Sequence, residues 1–109
     1  MKTEFETSRK ADLDALIDYS GEAVVSKTLI KKDTGTVTLF SFDQGQGLSE
    51  HTAPYDAMVQ VVDGKALIKI DKEAYEVAAG EFIIMPANVP HALEAKEKFK
   101  MLLTMIKSK

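Results

Sequence analysis

Residues 80–91 read GEFIIMPANVPH. The run at residues 82–85 is short, apolar and rich in β-branched side chains, which favours a strand. Residues 86–90 follow at once and combine two prolines with an asparagine, residue types that are typical of turns. The pattern predicts a strand, a tight turn and a second strand that begins at His91.

Outward from this stretch, similar short segments follow one another along the chain after Gly21. Strands are predicted at residues 24–30, 36–43, 58–62, 66–70, 73–77, 82–85, 91–95 and 99–106. The pair Asp63-Gly64 separates two of these segments and predicts a hairpin, because glycine accepts the positive φ of a type I′ turn. Some eight or nine short strands at regular spacing indicate an all-β antiparallel sandwich or barrel.

One segment has helical periodicity. Leu13, Leu16 and Ile17 recur on one face, which predicts a helix over residues 11–20. At two to three turns this helix would be marginal alone, so we expect it to dock on the rest of the protein as a lid or arm. The predicted organisation is one domain over residues 1–109, with an arm and short helix at about 1–20 and a barrel at about 22–107.

Composition excludes several classes of function. The 109 residues include no cysteine, so disulfides, thiolate nucleophiles, iron–sulfur clusters and Cys-based zinc sites are excluded. The formal net charge of −3 lacks the basic character of a nucleic-acid binder. No signal peptide or apolar run long enough to cross a bilayer is present. We therefore expect a cytoplasmic protein without a nucleic-acid partner, a membrane partner or a nucleotide cofactor.

The two histidines lie in segments that resemble the two sequence motifs of the cupin superfamily. The first motif is G, five residues, H-x-H, three or four residues, E, six residues, G, and it is matched by Gly45, His51 and Gly64. The second is G, five residues, P-x-G, two residues, H, three residues, N, and it is matched by Gly80, Pro86 and His91, with Asn88 in place of a glycine. The resemblance covers about residues 45–95 and implies an antiparallel double-stranded β-helix, the jelly-roll or cupin barrel.

The resemblance also implies a metal site built from three histidines and a glutamate. His51 and His91 occupy two of these ligand positions, whereas Ala53 and Ala57 occupy the other two. Catalytic zinc-type sites use three protein ligands, so two imidazoles alone are expected to hold a divalent metal (Zn, Ni, Fe or Mn) weakly. The sequence is compatible both with a site that holds a metal and with a site that does not.

The rest of the expected interior is apolar and predicts a cavity for a small organic ligand. In the strand predicted at residues 36–43, alternation places Phe40 and Phe42 on one face and Val37 and Leu39 on the other. Which of the two faces points inward stays open. A strand bulge near Pro54 would turn nearby oxygen donors inward. The candidate pocket residues are Phe40, Phe42, Tyr55, Val59, Val61, Met101 and Met105, and the candidate extra polar groups are Asp56 and Gln60. Ile84 and Leu103 are also expected to face inward.

Three functions are compatible with this site. The favoured one is a small cupin barrel that binds a small organic ligand, with a weak two-histidine metal site. The second is a metal-dependent enzyme of the isomerase, dioxygenase or decarboxylase type, in which the metal acts as a Lewis acid. The third is metal-free acid–base catalysis, as in deoxysugar epimerases, for which Asp56 or Glu50 would have to orient His51.

A homodimer is also expected. A barrel of this size has a thin core and open sheet edges, which invite pairing or covering. The resemblance to small cupins implies the same assembly. Residues 21–33, or the neighbouring sheet face, are the predicted contact regions.

Overall fold

The computed structural model describes residues 5–107, and eight strands make up most of them. All the strand pairings are antiparallel, which confirms the all-β prediction. The first four residues of the predicted N-terminal arm lie outside the described residues. The strands are β1 (Val24–Lys32), β2 (Gly35–Phe42), β3 (Gly47–His51), β4 (Ala57–Ile70), β5 (Glu73–Ala78), β6 (Phe82–Met85), β7 (His91–Glu94) and β8 (Phe99–Ile106).

Two sheets share the long strand β4. The first sheet has the order β1-β2-β8-β4-β6, and the second has the order β3-β7-β4-β5. The first half of β4 pairs within the first sheet, and residues 65–70 pair within the second. This arrangement is the double-stranded β-helix, or jelly roll, that the two motifs predict.

The hairpin predicted at Asp63-Gly64 is wrong, because this pair lies inside β4. A register shift between Val61 and Asp63 marks a bulge opposite β8, and Gly64 has a φ of 77°. A Cβ atom on Gly64 would collide with the backbone carbonyl of Lys98. Glycine is therefore needed here for a corner that carries one strand from the first sheet to the second, rather than for a chain reversal.

The helix predicted over residues 11–20 is also wrong, because only a single 3-10 turn forms, at Asp14–Leu16. Backbone carbonyls of this N-terminal segment accept hydrogen bonds from side chains of the first sheet, and they do not form the hydrogen bonds of an α-helix. The Ser41 hydroxyl donates to the Asp18 carbonyl at 2.9 Å, and Lys100 Nζ donates to the Asp14 carbonyl at 2.7 Å. A segment this short gains little from helix formation, so these tertiary bonds decide its conformation. Within residues 5–107, no helix is long and apolar enough to cross a membrane.

The core lies between the two sheets and contains the phenylalanines of β2. Phe42 is fully buried and stacks on Phe99 with 4.6 Å between ring centroids, and Phe40 packs against the same cluster. Burying a side chain of this size contributes about 2–3 kcal/mol. Leu39 is fully buried as well, but it is not part of this cluster and alternates with the phenylalanines. The phenylalanines therefore face inward. Leu39 faces the outer side of the first sheet, where the N-terminal segment docks.

Candidate functional site

Two neighbouring strands of the second sheet bring the histidines together. His51 ends β3 and His91 begins β7, and the two residues are direct partners across the pair. A register shift between Leu48 and His51 places a bulge just before the first histidine. Bulges change the direction of the side chains that follow them, and this one places His51 opposite His91.

The two imidazole rings meet through their Nε2 atoms, which are 3.2 Å apart. The ring planes are inclined at 71°, with 4.4 Å between centroids. Each Nδ1 atom faces a backbone carbonyl oxygen, that of Ser49 at 2.7 Å for His51 and that of Val89 at 3.2 Å for His91. A carbonyl oxygen only accepts, so the hydrogen-bond partners assign a proton to both Nδ1 atoms.

This assignment leaves both Nε2 atoms of the neutral pair as acceptors. Two lone pairs that face each other at 3.2 Å repel unless a cation lies between them, either a shared proton or a metal ion. Zinc binds histidine nitrogen at about 2.0–2.1 Å, so nitrogens this far apart subtend roughly 100–105° at such an ion. That angle is close to tetrahedral, and the pair therefore fits two positions of a metal site.

The two histidines differ in their exposure. His91 is buried, with 5% of its surface exposed, whereas His51 is exposed. Burial lowers the pKa of His91, the hydrogen bond to the Val89 carbonyl opposes this shift, and the nearby His51 adds to the lowering. A neutral imidazole is the form that binds a metal. The histidine pair is therefore open to solvent on the side of His51 and buried on the side of His91.

The other two ligand positions of the family motif supply no donor. Ala53 and Ala57 line the same interior cavity as the histidines. Within residues 5–107, no group of three or more His, Cys, Asp and Glu side chains is placed to hold a metal ion. Any ion between the histidines would thus take its remaining ligands from water or from a bound molecule.

The interior cavity is small and apolar. Its volume is about 50 Å³, which is room for only a few water-sized atoms. Three methionines lie in its wall, two of them from β8. The lining residues are Leu48, His51, Ala53, Ala57, Met85, His91, Leu93, Met101, Leu103 and Met105.

Six of the seven predicted pocket residues lie in the interior, in two different environments. Met101 and Met105 line the cavity beside the histidines. Phe42, Val59 and Val61 are buried in the packed core and do not line the cavity. Phe40 packs against that core from a partly buried position. The inward direction of these side chains follows from strand alternation, but the sequence does not show how fully they fill the interior.

The three predicted polar or rim residues lie outside the cavity. Tyr55 and Asp56 border a groove on the protein surface, and Asp56 Oδ1 accepts a hydrogen bond of 2.8 Å from the Ala87 amide. Gln60 lines another surface depression together with Leu13. The structure therefore does not bring Asp56 or Gln60 to the histidine pair.

Several cavity residues were missed in the sequence. Met85 is the cross-strand partner of Ala57, and Leu48 is that of Leu93. Leu48 lines the cavity because it lies on β3, and this strand was not predicted from the sequence. Leu103 lines the cavity as expected, but the inward direction expected of Ile84 is wrong, because this side chain is 52% exposed. Alternation along β6 instead places Met85 and Ile83 on the inward side.

A family model described as a cupin domain matches residues 38–107. The match covers well over half of the chain and includes both histidine motifs. This chain is a cupin. The predicted resemblance is thus confirmed.

Solved structures with this fold include close matches over the whole length of this cupin. A conserved protein of unknown function from Streptococcus pyogenes is 40% identical, covers 97% of this chain and 93% of its own, and has a TM-score of 0.92. A cupin superfamily protein from Desulfitobacterium hafniense is 28% identical, with 96% of each chain covered and a TM-score of 0.89.

A more distant structure shows the fold alone. A variant of salicylate 1,2-dioxygenase from Pseudoaminobacter salicylatoxidans is 14% identical over 76% of this cupin and 26% of its own chain, with a TM-score of 0.70. No match was found among proteins of curated function.

Proposed function

We propose that this cupin binds one divalent metal ion between His51 and His91 and that a small organic ligand completes the coordination. The observation that carries the proposal is the pair of Nε2 atoms at 3.2 Å, both left as acceptors by their Nδ1 hydrogen bonds. The two backbone carbonyls fix the ring orientation, as partners of metal-binding histidines commonly do. We also expect the protein to act in the cytoplasm.

The donor set favours particular metals. Imidazole nitrogen suits zinc, nickel and iron, whereas manganese prefers carboxylate and water oxygens. Only two imidazoles contribute here, so the affinity should be lower than that of a three-ligand site. A bound ion of this kind supplies Lewis-acid polarisation to an oxygen of the ligand. The apolar wall of Leu93, Met101 and Met105 excludes water from the other side of that ligand.

The size of the cavity restricts the ligand class. A space of about 50 Å³ admits a group of a few heavy atoms, and among the described residues in its wall only the two histidines have polar side chains. A short carboxylate, hydroxy acid or keto acid fits both limits, because its oxygens would face the histidines and its short carbon chain would face the methionines. Larger aromatic ligands would have to remain outside, next to the exposed His51.

The acid–base alternative has less support. That mechanism needs a carboxylate to orient the catalytic histidine. The hydrogen-bond partners of both Nδ1 atoms are backbone carbonyls, and Asp56 instead bonds to the Ala87 amide. A metal-dependent enzyme would use the same histidine pair as the binding protein proposed here, and turnover of a short hydroxy or keto acid would distinguish the two.

Metal titration of the stripped, tag-free protein tests the proposal. We expect one Ni²⁺ or Zn²⁺ per chain by isothermal titration calorimetry, and at least a tenfold loss of affinity in His51→Ala and in His91→Ala. Glu94→Gln removes an exposed carboxylate that pairs with Lys69 at 3.8 Å, and it should leave the affinity unchanged. Absence of binding at millimolar metal, or equal affinity in the His51→Ala/His91→Ala double variant, would overturn the proposal.

A competition between ligands of different size tests the ligand class. We expect acetate to change the visible spectrum of the Ni²⁺-loaded protein at concentrations at least tenfold lower than benzoate does, because the phenyl ring exceeds the cavity. Met105→Ala removes part of the cavity wall, so the concentrations of acetate and of benzoate that change the spectrum should become more similar. Equal binding of acetate and benzoate by the unchanged protein would contradict the assignment to short acids.

A further inference from the structure

We propose that the cavity beside the histidines also binds Cu⁺, which the thioether sulfurs of Met85 and Met105 hold together with His51 and His91. The inference rests on the proposed function, because it takes the histidine pair as metal ligands. It goes beyond that function in the ion, which is soft and monovalent, and in the ligand set, which includes sulfur.

The strand register places two methionines on either side of an alanine in a ligand position. Ala57 lines the cavity but supplies no donor. Met85 on β6 and Met105 on β8 are both direct cross-strand partners of Ala57. Cβ atoms of such partners lie about 4.5–5.5 Å apart, and their side chains point to the same side of the sheet. The two sulfurs therefore flank the position where the family motif has its fourth ligand.

Methionines are concentrated around this cavity. Met85, Met101 and Met105 line it together with both histidines. Three of the five methionines of the chain are thus among the ten residues of one wall. A methionine side chain is unbranched and has three rotatable bonds, so its sulfur can turn toward an ion in the cavity. Core filling alone gives no reason for methionines to gather around two imidazoles.

The combination of donors favours copper in its reduced state. Zinc, nickel and iron at the histidine pair would take their remaining ligands from water or from a bound molecule, whereas a soft ion also uses thioether sulfur. Thioether and imidazole together suit Cu⁺. The chain has no cysteine, so no thiolate within it competes for the ion.

The charge of the cavity wall favours the same ion. None of the described residues in this wall is acidic. The cost of moving an ion from water into an apolar medium rises with the square of its charge, so it is about four times greater for a divalent ion than for a monovalent ion of the same size. A divalent ion here needs an anionic ligand, whereas Cu⁺ with neutral imidazoles and thioethers leaves a single positive charge.

The donors are arranged from the surface inward. His51 is exposed, whereas His91 is 5% exposed and Met85 is 3% exposed. An ion that enters beside His51 therefore meets buried nitrogen and sulfur next, and the apolar wall excludes water from its inner side. This arrangement gives a soft ion donors that it prefers to water.

A competition titration tests the inference. The stripped, tag-free protein is titrated with Cu⁺ in ascorbate without oxygen, against bicinchoninate, whose Cu⁺ complex is coloured. We expect one Cu⁺ per chain and at least a tenfold loss of Cu⁺ affinity in Met85→Leu/Met105→Leu. Leucine is close to methionine in volume, so the substitutions remove the sulfurs and keep the packing of the wall.

Met58→Leu is the matched control for this titration. Met58 follows Ala57 in β4, faces the other side of the sheet and does not line the cavity. The same substitution at this position should therefore leave the Cu⁺ affinity unchanged. Thermal melts of each variant show that it is folded.

Ni²⁺ binding separates this inference from the proposed function. Nickel uses the imidazoles and no thioether, so Met85→Leu/Met105→Leu should bind Ni²⁺ as the unchanged protein does. Equal Cu⁺ affinity in the double variant and the unchanged protein, with Ni²⁺ still bound by both, would overturn the inference and leave the proposed function standing. Failure of the unchanged protein to bind either ion would contradict both.

X-ray absorption spectroscopy of the Cu⁺-loaded protein tests the ligands themselves. In a thiol-free buffer, the fine structure at the copper edge should contain a sulfur shell beside a nitrogen shell. The chain has no cysteine, so a sulfur shell comes from methionine. The sulfur shell should disappear in Met85→Leu/Met105→Leu and persist in Met58→Leu. A copper site with nitrogen but no sulfur in the unchanged protein would refute the inference.

Discussion

His51 and His91 each use one ring nitrogen to hold the ring in place and direct the other toward the partner ring. The Nδ1 bonds to Ser49 and Val89 carbonyls come from residues two positions earlier in the chain. The orientation is therefore set locally, while the meeting of the rings is set by the pairing of β3 and β7. A two-ligand site with pre-oriented rings loses less rotamer freedom on binding a metal than two mobile histidines would.

A second residue-scale feature is an unpaired hydroxyl. Thr36 Oγ1 is buried and has no hydrogen-bond partner among the described residues. Thr36→Val replaces the hydroxyl with a methyl group of similar size and removes an unsatisfied polar atom. We expect the free energy of unfolding to rise by about 1 kcal/mol, measured by urea denaturation. A loss of stability in this variant would contradict the account, because it would mean that the hydroxyl has a partner.

The positions of the two histidines could be predicted from the sequence because both lie in motif register. The directions of the nearby oxygen donors could not be predicted from the sequence. Asp56 lies five residues from His51, yet its carboxylate bonds to the Ala87 amide, 31 residues further on. Such a long-range bond depends on the loop after β6 reaching the start of β4, which local pattern does not encode.

At the scale of elements, β4 shows how one glycine changes the architecture. Asp63-Gly64 has the composition of a hairpin turn, and the positive φ of Gly64 agrees with that reading. The chain nevertheless continues as a strand, since residues on both sides of the pair remain in register with neighbouring strands. Turn composition alone does not distinguish a reversal from a bulged corner.

Replacement of Gly64 tests the corner. Gly64→Ala adds a Cβ that meets the Lys98 carbonyl in a residue with a φ of 77°. We expect the free energy of unfolding to fall by more than about 2 kcal/mol. Gly45→Ala is the matched control: its φ is 89° and its Cβ would meet nothing within 4 Å, so only the backbone strain of about 1 kcal/mol applies. Equal losses in the two variants would contradict a steric role for Gly64.

The N-terminal segment docks as predicted, although not as a helix. Leu13, Leu16 and Ile17 give a helical pattern, but the conformation follows from contacts that no local pattern shows. Tyr19 donates a hydrogen bond of 2.5 Å to Asp63, and Lys100 Nζ lies 5.0 Å from the centre of the Tyr19 ring. These contacts join the segment to β4 and β8.

The Tyr19 contact predicts a loss of stability in alkali. Burial, followed by the hydrogen bond to Asp63 and the surrounding carboxylates, raises the pKa of Tyr19 above its usual value of 10.0. Above pH 10 the unfolded chain loses the phenolic proton and the folded chain keeps it, so stability declines as pH rises toward the folded pKa. Urea denaturation at pH 9 and pH 11 should show a smaller decline for Tyr19→Phe than for the unchanged protein. Identical declines would rule out this role.

At the scale of the whole molecule, the all-β class followed from the spacing of short strands, and the cupin barrel followed from the motifs. The close packing of the interior did not follow from the sequence. Phe42 and Phe99 stack at the centre and leave only the small cavity at the histidines. The volume that remains depends on packing between distant strands, and a residue list does not supply it.

The central claim is that one metal ion is held by both histidines. Anomalous diffraction from a crystal soaked in Ni²⁺ or Zn²⁺, recorded at the metal edge, tests it most directly. We predict one strong peak per chain at about 2.0–2.1 Å from both Nε2 atoms. A peak bound by one histidine alone, or metal found only on surface carboxylates, would contradict the account.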